Sequence, residues 1–176
     1  MFQEHDWCGF YGDMKEAIHT NTPKPRGKEF DLRILVDSDH VGDKLTRKSG
    51  TGYNIFLKNA PIDWLSKKQA TIETSVFGAE IVAINIGIET LQGLRYKLSI
   101  MGVPISRMSL IHGGNMSVIH KTQQPESTLK KKSNSICYHA IRESVAMKES
   151  LTGHVPSVDN PEDIFTKVVP NTLLLV

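Results

Sequence analysis

Three carboxylates stand where a protein chain can use them for chemistry. Asp37 closes Leu32–Val36, a short apolar run rich in β-branched residues that reads as a buried strand. Glu80 falls in the first half of the longest helical pattern, and Asp163 in the opening turn of a last helix that starts at Pro161 with Asn160 as its cap. A carboxylate at the end of a buried strand is held rigidly by its neighbours, which suits a metal ligand or a nucleophile. Asp39 and Asp43, on either side of His40-Val41-Gly42, read as turn residues.

The elements that would position these acids follow from periodicity and punctuation. After the first strand, the polar stretch 43–52 turns the chain. Tyr53–Leu57 is a second strand, Asn59-Ala60-Pro61 a tight link, and Ile62–Ser66 a third, which together predict an antiparallel meander. Thr74–Met101 repeats apolar residues at three- and four-residue steps, from Ala79, Val82 and Ala83 to Leu98. Thr74 or Ser75 caps this helix, and Gly102 with Pro104 stops it. Gly87 and Gly93 inside it cost about 1 kcal/mol each relative to alanine. Arg107–His112 is a fourth strand, Asn115–Lys121 a short helix, Leu129–Lys148 a long one, and Leu151–Pro156 a fifth strand. Residues 1–30 lack an apolar period and end in the extended Asn21–Lys28 stretch; they read as a connector that adds no packing, with a helix at Asp13–His19. Residues 170–176 read as a loose tail.

Composition narrows the class. With 176 residues and 39% hydrophobic content, the chain is long enough for one globular domain with a core. It has no apolar run of the ~20 residues a membrane span needs, and its first residues do not form a secretory signal. Cys8 and Cys137 fit no zinc spacing and read as free thiols of an intracellular protein, in cytoplasm or nucleus. The net charge of +2 does not by itself call for a polyanion partner, so the location of charge has to carry that argument.

Several collinear motifs make the chain, over about residues 32–169, similar to the RNase H domain of copia-type retrotransposon polyproteins. Asp37-Ser38-Asp39-His40-Val41-Gly42-Asp43 resembles that family's strand end S-D-A-D-W-A-G-D. Arg47–Tyr53 resembles R-K-S-T-S-G-Y, and Ile62–Gln69 resembles I-x-W-x-S-K-K-Q. Ser75–Ile84 stands at the helix signature S-S-T-E-A-E-Y-V-A-L, Gly114–Ile119 at D-N-x-S-A-I, Ile136–Glu143 at I-R-Y-H-F-I-R-E, and Glu162–Lys167 at A-D-I-F-T-K.

The resemblance implies an α/β fold of the RNase H type: a mixed five-stranded sheet, three antiparallel strands then two more, flanked by helices, over residues 31–169. It also implies endonucleolytic cleavage of RNA in an RNA–DNA hybrid by two Mg²⁺ or Mn²⁺ ions held by four acids. Carried over, the first acid is Asp37, the second Glu80 and the fourth Asp163. The third position is Gly114, which has no ligand atom, and no carboxylate lies between Arg107 and Gln124 to replace it. Activity is therefore expected to be impaired, which leaves a catalytically inactive hybrid-binding remnant as the alternative. The histidine that some members carry two residues after the fifth-strand proline is Val158 here; His154 stands earlier.

Hybrid contacts are expected at Lys130, Lys131 and Lys132, and at Asn115 and Ser117, with recognition through phosphates and A-form shape. Residues 1–30 then become the remnant of a connector to a reverse-transcriptase segment of the parent polyprotein. Trp64 is expected to pack in the core or on a strand face. His112, His120 and His139 suit no zinc site.

A second resemblance starts from strand one alone. Asp37-Ser38-Asp39-His40-Val41 also fits the D-x-D-x-V loop of haloacid-dehalogenase-like phosphatases, with Asp37 as nucleophile and Asp39 as general acid. Those enzymes follow the loop with a helix, whereas two strands are predicted here.

Overall fold

The computed structural model describes residues 6–16, 18–105, 108–130 and 132–155. Asp163, Val158 and Lys131 lie outside them, as do the expected last helix and the tail.

The strands are β1 (Leu32–Asp39), β2 (Gly50–Leu57), β3 (Ala60–Lys68), β4 (Ser109–Gly113) and β5 (Ser150–His154). The helices are α1 (Cys8–Tyr11), α2 (Val76–Ile100), α3 (Met116–Gln123) and α4 (Ser135–Ala146). One sheet runs in the order β3-β2-β1-β4-β5, antiparallel from β3 to β1 and parallel from β1 to β5. This is the mixed five-stranded sheet expected from the sequence. The two strands that follow β1 exclude the phosphatase reading, which needs a helix there.

Alternation along β1 builds the core. Leu32, Ile34 and Val36 are buried, and α2 lies across them with Ile81, Ile84, Ile88 and Leu91. Helix α2 runs without a break. The Ser75 hydroxyl caps it by accepting from the Gly78 amide at 3.1 Å. At its end, Val103 N–H bonds Leu98 O and Gly102 N–H bonds Ser99 O, with Gly102 at φ 72°, the αL geometry that a Schellman stop requires. Gly87 is present for a packing reason: a Cβ there would stand 3.0 Å from Val36 Cγ2 and 3.2 Å from Ile34 Cδ1. At Gly93 a Cβ would meet nothing within 4 Å.

Other expectations need correction. Trp64 is not packed in the core or on a strand face; it is 63% exposed, because β3 is an edge strand that buries only part of Leu65. The expected helix at Asp13–His19 is not formed in its described part. A helical turn forms instead at Cys8–Tyr11 and ends at Gly12, whose φ is 72°. The helix expected over 129–148 is a 3₁₀ turn (Lys132–Asn134) followed by α4. Among the described residues no helix is long and apolar enough to cross a membrane.

The segment before β1 lies on the domain. Arg26 N–H bonds Gly102 O and Phe30 N–H bonds Pro104 O, at 3.0 and 2.9 Å. The Glu16 carboxylate takes two hydrogen bonds from the buried Arg95 guanidinium, which also donates to the Ser109 hydroxyl. Arg142 of α4 is 3% exposed. Its guanidinium sits 5.2 Å from the Trp7 ring centroid and 5.0 Å from that of Tyr138, with Phe10 and Tyr11 near by. It donates to the carbonyls of Pro125 and Ser127.

Candidate active site

Two parallel neighbours, β1 and β4, end side by side. Their register pairs Val36 with Gly113, which sets Asp37 next to Gly114. Glu80, in the second turn of α2, reaches the same point from above the sheet and is 3% exposed. A Cβ built on Gly114 would stand 3.8 Å from Asp37 Oδ1 and 4.0 Å from Glu80 Oε1. Two of the predicted acids therefore converge on the residue that stands in place of the third.

The space around Gly114 is open at ordinary contact distance, and its φ is outside the left-handed region. An aspartate fits there without backbone strain. Gly113 is different: a Cβ on it would come within 3.2 Å of both Glu80 Oε1 and Ile84 Cδ1.

Glu80 is held by several donors. The Ser38 hydroxyl donates to Oε2 at 2.7 Å and the Gly114 amide donates to Oε1 at 3.0 Å, with the Asn115 amide near by. Burial pushes the Glu80 carboxyl above the usual carboxylate range, and the Asp37 charge adds to this. The Ser38 hydroxyl and the two amides pull the other way. Ser38 is a site residue that sequence reasoning missed. Alternation was the available signal, since Ser38 continues the inward row Leu32, Ile34, Val36.

His154 was also missed. β4 and β5 pair Gly113 with His154, and the imidazole Nε2 lies 3.1 Å from Gly114 O. Asp39 and Asp43 hold turns. The Asp39 carboxylate occupies the space that a Cβ on Gly42 would need. Asp43 accepts from the amide of Leu45 and the hydroxyl of Thr46 and pairs with Lys68 at 2.8 Å. Lys68 is the main reason its carboxyl lies far below the usual range.

Of the residues expected to meet nucleic acid, Asn115 caps α3, its Oδ1 accepting from Ser117 N and Val118 N. Ser117, Lys130 and Lys132 are exposed. Among the described residues no group of three or more His, Cys, Asp or Glu side chains is placed to hold a metal. The described donors are hard oxygens of the kind Mg²⁺ takes, but they form an incomplete cage: two carboxylates and a glycine.

No family profile matches the chain. Among curated proteins, it is 29% identical over 147 residues to the retrovirus-related Pol polyprotein from transposon RE1 of Arabidopsis thaliana, covering 84% of this chain and 10% of that protein. It is 29% identical over 139 residues to the Pol polyprotein from transposon TNT 1-94 of Nicotiana tabacum, covering 79% and 10%. The chain thus spans about a tenth of the length of the curated relatives it matches.

Among solved structures, LC11-RNase H1 in complex with an RNA/DNA hybrid superposes with a TM-score of 0.61 at 17% identity, covering 82% of this chain and 99% of that one. RNase H1 from the archaeon Halobacterium salinarum gives 0.57 at 10% identity, covering 75% and 90%. A foamy viral protease–reverse transcriptase bound to an RNA/DNA hybrid gives 0.52 at 14% identity, covering 82% of this chain and 20% of that one.

Proposed function

We propose, from the premise that this chain is an RNase H-like domain related to the Pol polyproteins of copia-type transposons, that its substrate is an RNA–DNA hybrid and its reaction is hydrolysis of the RNA strand, strongly impaired by Gly114. One observation carries the reading: Asp37 and Glu80 meet over Gly114 at the ends of two parallel strands. The setting is an intracellular polyprotein that also carries a reverse-transcriptase segment.

Asp37 and Glu80, with Asp163 as a further acid, would hold Mg²⁺ or Mn²⁺. A bound divalent ion supplies Lewis-acid stabilisation of charge on the phosphate oxygens and the leaving oxygen. The chain's own contribution is orientation: the Ser38 hydroxyl and the Gly114 amide fix the Glu80 carboxylate and favour its ionised form. Gly114 removes one negative charge and up to two ligand oxygens. A loss of about 4 kcal/mol of transition-state stabilisation corresponds to about three orders of magnitude in rate.

The test is cleavage of a labelled RNA–DNA hybrid in Mg²⁺ and in Mn²⁺. Gly114→Asp is expected to exceed the natural chain by about 10³-fold on that arithmetic, and Asp37→Asn in that background to abolish cleavage. Equal rates for the natural chain and Gly114→Asp would overturn the impairment. A folded but inert Gly114→Asp would overturn the hydrolase reading. Both Glu80 oxygens already take hydrogen bonds from the protein, which favours a second role in which the chain binds hybrids without cutting them. Hybrid affinity measured in EDTA tests it.

A further inference from the structure

We infer that β3 is a docking edge for a second copy of this chain, which adds its own β3 antiparallel about a two-fold axis at Leu65 and joins the two sheets into one. Among the described strands β3 pairs only with β2, so its other edge presents backbone N–H and C=O groups along a strand of nine residues. Every residue of β3 is exposed except Leu65, which is half-buried. Two of the exposed side chains are large and apolar, Trp64 and Ile62. An edge that is long, open and partly apolar is a template for strand addition.

Charge complementarity selects both the occupant and the register. From Asp63 to Lys68 the pairing with β2 is regular, and its one irregularity lies towards the hairpin end, near Pro61. With the axis at Leu65, Asp63 stands opposite Lys67 of the second copy and Lys67 opposite its Asp63, so the symmetry makes the pair twice. Asp63 and Lys67 lie opposite Ile55 and Thr51 of β2, on the same face of the sheet. Asp63 accepts from the Tyr53 hydroxyl at 3.3 Å, and among the described residues neither Asp63 nor Lys67 is in an ion pair. Axes one step away, at Trp64 or Ser66, set Lys67 opposite Pro61 or Leu65 and pair no charges. On the other face, Trp64 stands opposite Ser66 of the second copy and diagonal to its Trp64, within reach of ring contact. Lysines on an edge ordinarily repel an incoming strand. Here Lys68 is already paired with Asp43 at 2.8 Å in its own chain, and Lys67 finds its counterion in the second copy.

The experiment is sedimentation equilibrium of the full chain from micromolar to millimolar concentration, where a monomer–dimer equilibrium is expected. Asp63→Lys and Lys67→Asp each set like charges across the axis twice and should raise the dimer dissociation constant about tenfold. Asp63→Lys combined with Lys67→Asp restores opposite charges and should return it to the natural value. Both positions are exposed, and a thermal melt of each variant checks that the monomer stays folded. Cross-linking reads the register independently. Directly opposed Cα atoms of an antiparallel pair lie about 4.5–5.5 Å apart, within disulfide reach. In a Cys8→Ser background, Leu65→Cys should therefore oxidise to a linked dimer, and Ile62→Cys, away from the axis, should not. A chain that stays monomeric throughout would overturn the inference and leave this edge to another segment of the parent polyprotein. A dimer indifferent to the single charge reversals, or not recovered by the double one, would overturn it too, as would equal linking at Ile62→Cys and Leu65→Cys.

Discussion

Glu16 and Arg95, 79 positions apart in the chain, form a two-pronged ion pair: Arg95 Nε donates to one carboxylate oxygen at 2.8 Å and Nη2 to the other at 2.6 Å. Arg95 is almost fully buried on α2, and Glu16 belongs to the segment before β1. A bidentate pair of this kind is both directional and charge-assisted.

Removing Glu16 leaves a buried guanidinium with only part of its bonds made. Glu16→Ala is expected to lower stability by about 2 kcal/mol, below the range for fully buried pairs because the carboxylate is partly exposed. Trp7→Ala should add a smaller loss by uncovering Arg142. Deleting residues 1–30 should lower the melting temperature by more than either, against the sequence-based expectation of no effect. Denaturant titrations of the three variants check this.

Gly87 and Gly93 sit in the same helix and should respond with opposite signs. Gly93→Ala gains helix propensity into open space and should stabilise by roughly 0.5–1 kcal/mol. Gly87→Ala gains the same propensity but drives its Cβ against Val36 and Ile34, so overpacking of about 1–3 kcal/mol should win. Two thermal melts beside the natural chain decide it.

Glu80 makes a pH prediction. Its folded-state carboxyl is raised by burial, so between its unfolded and folded values the native state binds the extra proton. Its contribution to stability therefore falls as pH rises through that window. In metal-free buffer, the stability of Glu80→Gln relative to the natural chain should be highest near neutral pH and should decline as pH falls through that window to the usual carboxylate range. Urea titrations across that range measure the difference.

Lys130 and Lys132 are exposed and free to meet phosphate. Replacing both with alanine should weaken hybrid binding and lower the slope of log affinity against log salt by about 0.7–0.9 per phosphate contact removed. A slope that does not change would assign both to ordinary solvated surface. Fluorescence anisotropy over a salt series is the measurement.

Much of this protein was legible one stretch at a time. The β-branched run of β1 with Asp37 at its end, the period of α2 with Ser75 as cap and Gly102 as stop, and the order of strands and helices are written in local patterns. Local sterics and hydrogen bonding decide them. The same patterns put Asp37, Glu80 and Gly114 in the right elements for a shared site. What only the tertiary structure decided depends on which distant residues meet. Trp64 is exposed because β3 became an edge; its alternating pattern is the same in a central strand. The N-terminal segment has no apolar period because it docks through an ion pair and stacked rings instead of a helical stripe. His154 reached the site through the β4–β5 register, and a one-residue slip would have turned it to the other face. Register and partner choice are set by the summed packing of the whole sheet, so no single stretch of sequence carries them.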